Sequence, residues 1–216
     1  MTNTRPARQP KGQPTGGQFA PKENPETDLT LEPSWPGLTF ETKTDEDGSS
    51  VERWRDAQGR LQDPPDGSSA VCRSHSDGTV ECEHRQAGHL QDPPDGTPAV
   101  RVTYPDGSVA YEEHYQASHL HDPPDGSPAV RAFRPDGSVE YEKHYRVSRL
   151  QDPPDGTPAV SGYYLNGTVE YEEHRQAGRR QDPPDGSPAV RRFHSDGTVG
   201  REEHYQDGRR ISSPIG

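Results

Sequence analysis

Hydrophobic and polar positions along this chain alternate in short runs, and each run is broken by a tight polar turn. From Pro98 the order is Ala99-Val100-Arg101-Val102-Thr103-Tyr104, then Pro105-Asp106-Gly107, then Ser108-Val109-Ala110-Tyr111-Glu112-Glu113-His114-Tyr115. Two β-prone runs around a Pro-Asp-Gly turn predict a β-hairpin, with Pro at the second position of a type I turn and Gly in a left-handed bulge, so that Tyr104 faces Ser108. Period-two alternation in that register puts Ala99, Arg101 and Thr103 on one face with Val109, Tyr111, Glu113 and Tyr115, and the equivalent faces carry Phe133, Tyr163 and Phe193. Ser108, Glu112 and His114 fall on the other face, together with Val100 and Val102.

The hairpin is repeated. Asp-Pro-Pro-Asp-Gly begins at Asp63, Asp92, Asp122, Asp152 and Asp182, and an Asp-Gly or Asn-Gly pair lies midway through every unit, from Asp47-Gly48 to Asp196-Gly197. Five near-copies define a tandem array, one unit being a residue short in its second arm, Thr79 to His84. An isolated hairpin is marginal in water, whereas stacked hairpins cover each other's apolar stripe and pair their edges. The fold class expected is all-β: tandem β-hairpin repeats forming an elongated antiparallel sheet or solenoid, with a disordered N-terminal tail. The Asp-Pro-Pro-Asp-Gly segments serve as bends between units. Residues 1–37 are expected as a tail, basic and then acidic. Residues 38–60, with Trp54, form a degenerate capping unit, 61–210 hold the five repeats, and 211–216 form a C-terminal tail.

Composition makes the repeat necessary. Leu, Ile, Val and Phe together number 27 of 216 residues and the formal net charge is -12, a balance that by itself predicts disorder. No stretch is long and apolar enough to span a bilayer, and no secretory signal opens the chain. An acidic chain repels phosphate backbones, so nucleic acid is disfavoured as a partner except through residues 1–22, which carry Arg5, Arg8, Lys11 and Lys22 and no acid.

The chemistry-bearing residues recur with the unit. His84, His114, His144, His174 and His204 form a column; a solvated face paired with Glu112 and Glu142 is favoured over a metal ladder, because units two strands apart sit roughly 9 to 10 Å from each other. Protonation of that column would change the surface charge. Asp92, Asp95, Asp122, Asp125, Asp152 and Asp155 could stack into a calcium-binding column; surface turns are the favoured reading and calcium the alternative. Cys72 and Cys82 flank one turn and stand opposite each other, and reduced thiols in a cytoplasmic setting are favoured over a cross-strand disulfide. Residues copied in every unit suit an asymmetric active site poorly, and no hydrolase elbow or phosphate loop appears, so no enzyme, catalytic residue or cofactor is expected. A protein partner is expected, bound along an elongated face bearing Tyr111, Tyr115, Tyr141, Tyr145, Tyr171 and Tyr205.

The pattern resembles a known family. Leu120-His121-Asp122-Pro123-Pro124-Asp125-Gly126-Ser127-Pro128-Ala129 is similar to the recurring Leu-His-Arg-x-Asp-Gly-Pro-Ala segment of bacterial MORN-type hairpin repeats, departing from it at the inserted Pro-Pro and the extra Ser or Thr. The likeness covers roughly Gly59 to Gly208. It implies an elongated sheet of hairpins and a binding or scaffold role, antitoxin-like in some members, and it carries over no catalytic residues. Separately, Arg8 to Ala20, with Gly16-Gly17-Gln18-Phe19-Ala20, resembles a short leader found on otherwise unrelated proteins of actinobacteria and their phages.

Overall fold

The computed structural model describes residues 34–212, so the expectations for the two tails, residues 1–33 and 213–216, and for the leader segment lie outside the described residues. Within them the protein is all-β. Thirteen strands form a single antiparallel sheet in chain order, and four two-stranded hairpins branch from it between units.

The Pro-Asp-Gly turn closes as the spacing predicts. Tyr104 N donates to Ser108 O at 2.8 Å, and Gly107 N donates to Tyr104 O at 2.9 Å. Gly107 adopts φ 85°, which a side chain would disfavour. Asp106 Oδ1 locks the turn by accepting from Ser108 N at 2.9 Å and Ser108 Oγ at 2.6 Å. The connector turns repeat this chemistry, for example Gly96 N to Pro93 O at 3.1 Å and Thr97 N to Asp95 Oδ1 at 2.9 Å.

One residue beyond the turn the structure departs from simple alternation. Strand Val100–Thr103 pairs with Val109–Glu113 so that Thr103 faces Val109 but Val102 faces Tyr111, leaving Ala110 unpaired in a β-bulge. Glu140, Glu170 and Gly200 are the extra residues in the three following hairpins. Because side chains alternate with period two, one extra residue reverses the sidedness of everything beyond it. Val100 and Val102 therefore share a face with Glu113 and Tyr111, and Arg101 faces Glu112. The face expected to hold Ala99, Arg101 and Thr103 with Tyr111 and Glu113 is corrected accordingly. The hairpin Val71–Ser74 with Val80–Glu83 shows no register shift: the residue it lacks is the bulge.

The second arm also does not run on to Tyr115. It breaks at His114, and Tyr115–Gln116 pairs with His119–Leu120 in a short hairpin whose loop residues, Ala117 and Ser118, have φ of 49° and 64°. Two consecutive positive φ values mark the type I′ turn that suits right-twisted strands.

The core is a narrow line of small residues. Ala70, Ala99, Ala129, Ala159 and Ala189 are fully buried, each followed by a buried Val. Among the described residues, Val71 alone of the larger side chains is completely enclosed. In the first hairpin, Leu38–Thr44 with Ser50–Asp56, the Trp54 ring is buried against Phe40 at 4.8 Å, and the Trp54 backbone N–H donates to Ala70 O at 2.8 Å. His84 N makes the same bond to Ala99 O, at 2.7 Å, so Trp54 takes the place in the first hairpin that His takes in the repeats.

Candidate functional site

Two repeated features could carry function: a polar clip inside each unit and a notch between neighbouring units. The clip is centred on the first Asp of each connector. Asp122 Oδ1 accepts from Ala129 N at 2.9 Å and Tyr145 N at 2.8 Å, and Asp122 Oδ2 lies 2.8 Å from His144 Nδ1. Asp63, Asp92, Asp152 and Asp182 do the same with His84, His114, His174 and His204 at 2.9, 2.8, 2.8 and 2.7 Å. One carboxylate thus ties together the connector, the buried Ala that opens the first strand and the break that ends the second. An apolar core this thin leaves those bonds a large share of the ordering.

This geometry corrects the reading of the histidines. They do not lie on a solvated face paired with Glu112 and Glu142; His84, His144 and His174 are buried, and each holds the connector Asp of its own unit. Glu112 and Glu142 pair instead with Arg101 and Arg131, each at 2.9 Å.

The six candidate Asp residues separate into two rows. Asp92, Asp122 and Asp152 direct their carboxylates inward to the clips, while Asp95, Asp125 and Asp155 stand exposed at the turns. Among the described residues no group of three or more His, Cys, Asp or Glu is placed to hold a metal ion. Hydrogen bonds from Ser127, first from its hydroxyl and then from its backbone, hold the Asp125 carboxyl below its ordinary value. Asp66 and Asp185 are held in the same way by Ser68 and Ser187, and Asp95 and Asp155 by the backbone N–H groups of Thr97 and Thr157. The outer row is therefore a column of exposed negative charges, one per unit.

Between successive connectors lie four notches of matching composition, with volumes of 470, 380, 690 and 450 Å³. The second is walled by Pro93-Pro94 and Pro123-Pro124 and floored by Gln91, Tyr115 and Gln116. Arg85, Tyr145 and Arg175 take the place of Tyr115 in the others. Gln91 braces the junction: its Oε1 accepts from Ala117 N at 2.8 Å, and its Nε2 donates to Asp92 O at 3.3 Å.

The predicted tyrosines fall into two rows, both half-buried. Tyr115 and Tyr145 line notches, and Tyr205 holds the equivalent place in the last unit. Tyr111, Tyr141 and Tyr171 lie within the sheet strands. The rows meet at Glu113, which accepts from Tyr111 Oη at 2.5 Å and from Tyr115 Oη at 2.9 Å. Burial first and the Glu113 hydrogen bond second push both hydroxyls well above the ordinary tyrosine value, so they stay protonated donors. Lys143 lies 4.5 Å above the Tyr141 ring, Arg192 5.8 Å from Tyr171 and Arg180 5.3 Å from Tyr205.

Cys72 and Cys82 face each other with Cα atoms 4.2 Å apart and are joined by a disulfide, correcting the expectation of free thiols. They occupy the places of Arg101 and Glu112, so a covalent bond stands where the next two units have a cross-strand ion pair.

The residues that the sequence reading overlooked are the Gln series, Gln62, Gln91, Gln151 and Gln181, and the coupling of connector Asp to His. The available signal was the constant separation of Asp and His, 21 residues in the short unit and 22 in the others. No helix of the described residues is long and apolar enough to cross a membrane. No protein-family model matches the chain, and no curated protein matches it.

Proposed function

We propose that the protein is a repeat scaffold that binds an extended, basic segment of a partner protein along its row of notches. The observation that carries this reading is the recurrence of one notch, with Pro-Pro walls and a Tyr or Arg floor, at four successive junctions. Each unit contributes two strands to the sheet, which sets the notches roughly 9 to 10 Å apart. A polyproline II segment advances about 9.3 Å per three residues, so every third side chain of such a segment meets a notch. The column of exposed Asp66, Asp95, Asp125, Asp155 and Asp185 on a chain of net charge -12 favours Lys or Arg at those positions. The resemblance to MORN-type repeats supports a scaffold role independently of the notches. The compartment enters through the cysteines: the cytoplasmic expectation rested on two cysteines being too few for a disulfide-built scaffold, and a cross-strand disulfide favours an oxidising compartment instead.

Fluorescence anisotropy with a labelled peptide of four Arg-Pro-Pro triplets, against a peptide of the same composition with irregular Arg spacing, tests the proposal. The regular peptide is expected to bind at least tenfold more tightly and to weaken with added salt. Equal binding of the two peptides, or none, contradicts it.

A further inference from the structure

Four of the five clips end at a histidine whose Nε2 faces no hydrogen-bonding side chain among the described residues, but the clip of the short unit does not. The connector reads Thr-Pro-Ala or Ser-Pro-Ala at Pro98, Pro128, Pro158 and Pro188, whereas the short unit reads Ser68-Ser69-Ala70. Ser69 Oγ lies 3.2 Å from His84 Nε2, and His84 Nδ1 lies 2.9 Å from Asp63 Oδ2. Asp63 is itself fixed, its Oδ1 accepting from Ala70 N and Arg85 N, each at 2.8 Å.

We propose that Ser69, His84 and Asp63 form a nucleophilic triad in which Ser69 accepts acyl groups from small activated esters. A carboxylate facing Nδ1 draws the imidazole proton to that nitrogen, which leaves Nε2 bare to accept from the serine hydroxyl. His84 is buried and the carboxylate is held at both oxygens, so the imidazole is oriented before any substrate arrives. Ser69 is only partly buried and so can be reached from solvent. Replacing Pro by Ser also supplies a backbone N–H, and that of Ser69 donates to no acceptor among the described residues. Such a free donor on the nucleophile's own residue is the kind of group that stabilises a developing oxyanion.

The chemistry closes without a co-reactant other than water. Ser69 Oγ attacks the carbonyl carbon while its proton passes to His84 Nε2. The tetrahedral intermediate collapses, the bond from carbon to the leaving oxygen breaks, and the leaving group takes the proton from Nε2. Water, deprotonated by the same nitrogen, then attacks the Ser69 ester; the bond from carbon to Ser69 Oγ breaks, the carboxylic acid is released, and Nε2 returns its proton to Oγ to restore the hydroxyl. Ser69 lines none of the four notches, so nothing there grips the acyl portion, and the donor class is one with a good leaving group, such as an aryl ester. The scaffold reading does not depend on this site.

The repeat supplies its own controls. The intact protein is treated with a fluorophosphonate probe and, separately, with p-nitrophenyl acetate, and adducts are located by peptide mass spectrometry. The expected result is a single adduct on Ser69 and ester turnover that falls at least tenfold in Ser69→Ala and in Ser69→Pro, the second of which restores the residue of the other units. Pro128→Ser, which places a hydroxyl beside the His144 and Asp122 clip, is expected to add a second labelled site. Absence of an adduct on Ser69, or turnover unchanged in both Ser69 variants, overturns the proposal and leaves the Ser69 hydroxyl as a structural hydrogen bond.

Discussion

The short unit, from Asp63 to Gln91, and the unit that follows it differ in length by one residue, and the effect of that residue is confined to the turn end of the hairpin. With Ala110 present, the second hairpin bulges and sets an Arg101–Glu112 ion pair across the strands. Without its counterpart, the hairpin of the short unit runs in unbroken register, and Cys72 faces Cys82 at the same pair of places. The clip is indifferent to the change: Asp63 and Asp92 make the same three bonds. The turn end of the hairpin therefore tolerates insertion and deletion, whereas the clip end fixes the unit and its neighbour.

Breaking the clip is expected to have the largest effect. Asp122→Ala leaves two partly buried N–H groups and His144 without their acceptor, a loss of about 3 kcal/mol or more in urea unfolding. Asp63→Ala is expected to cost less while the disulfide is intact and as much once it is reduced, since Cys72–Cys82 holds that hairpin closed. Reduction alone opens a loop with a sequence separation of 10, worth about 2–3 kcal/mol, read as a lower melting temperature in reductant. Conversely, Arg131→Cys with Glu142→Cys is expected to oxidise spontaneously, because those residues are direct partners despite the bulge. Failure of that pair to oxidise would contradict the register.

A smaller effect separates the junctions. At Val147-Ser148 a β-branched residue holds φ 49°, and His121 replaces the Gln that elsewhere braces the turn. Val147→Asn with Ser148→Gly is expected to stabilise the protein by about 1 kcal/mol. The same change made at Ala87-Gly88, which already has Gly, is expected to gain much less.

The pH dependence follows from the two sets of shifted groups. Burial disfavours ionisation of Glu83, but hydrogen bonds from Arg73 and Arg85 more than offset it, and Glu173 is held below its ordinary value by Arg180 and Arg175 in the same way. Carboxyls lowered on folding contribute stability above the unfolded value of about 4.3, lost as pH falls through the folded value. Tyr163 is raised to about 12 by burial and by the Glu142 charge, so its contribution is present below the unfolded value of about 10 and lost as pH rises toward 12. Absorbance at 295 nm during an alkaline titration is expected to show the delayed tyrosine ionisation.

The repeat, its hairpins, the three-residue loop and the all-β class were legible because each rests on local residue chemistry: Pro before Asp-Gly, Gly at positive φ, alternation between turns. Sidedness was not, because Ala110, Glu140 and Glu170 look like any strand residue and reveal a bulge only when the partner strand is in place. The histidines were misplaced for the same reason. His114 sits where the arm breaks toward a second, two-residue hairpin, and Ala117-Ser118 and Val147-Ser148 carry no Gly to announce that turn. Where Gly does appear, at Gly88, Gly178 and Gly208, its positive φ marks the turn that the sequence signalled there.

The claim that polar clips rather than a broad apolar core hold the array together is tested most directly by amide hydrogen exchange. The N–H groups of Ala99, Ala129 and Ala159 and of Tyr115, Tyr145 and Arg175, all bound to connector carboxylates, are expected to exchange slowest and to speed up together in Asp122→Ala around that clip. Exchange at those amides as fast as at the exposed turn amides of Asp125 and Asp155, which donate to no acceptor among the described residues, would contradict it.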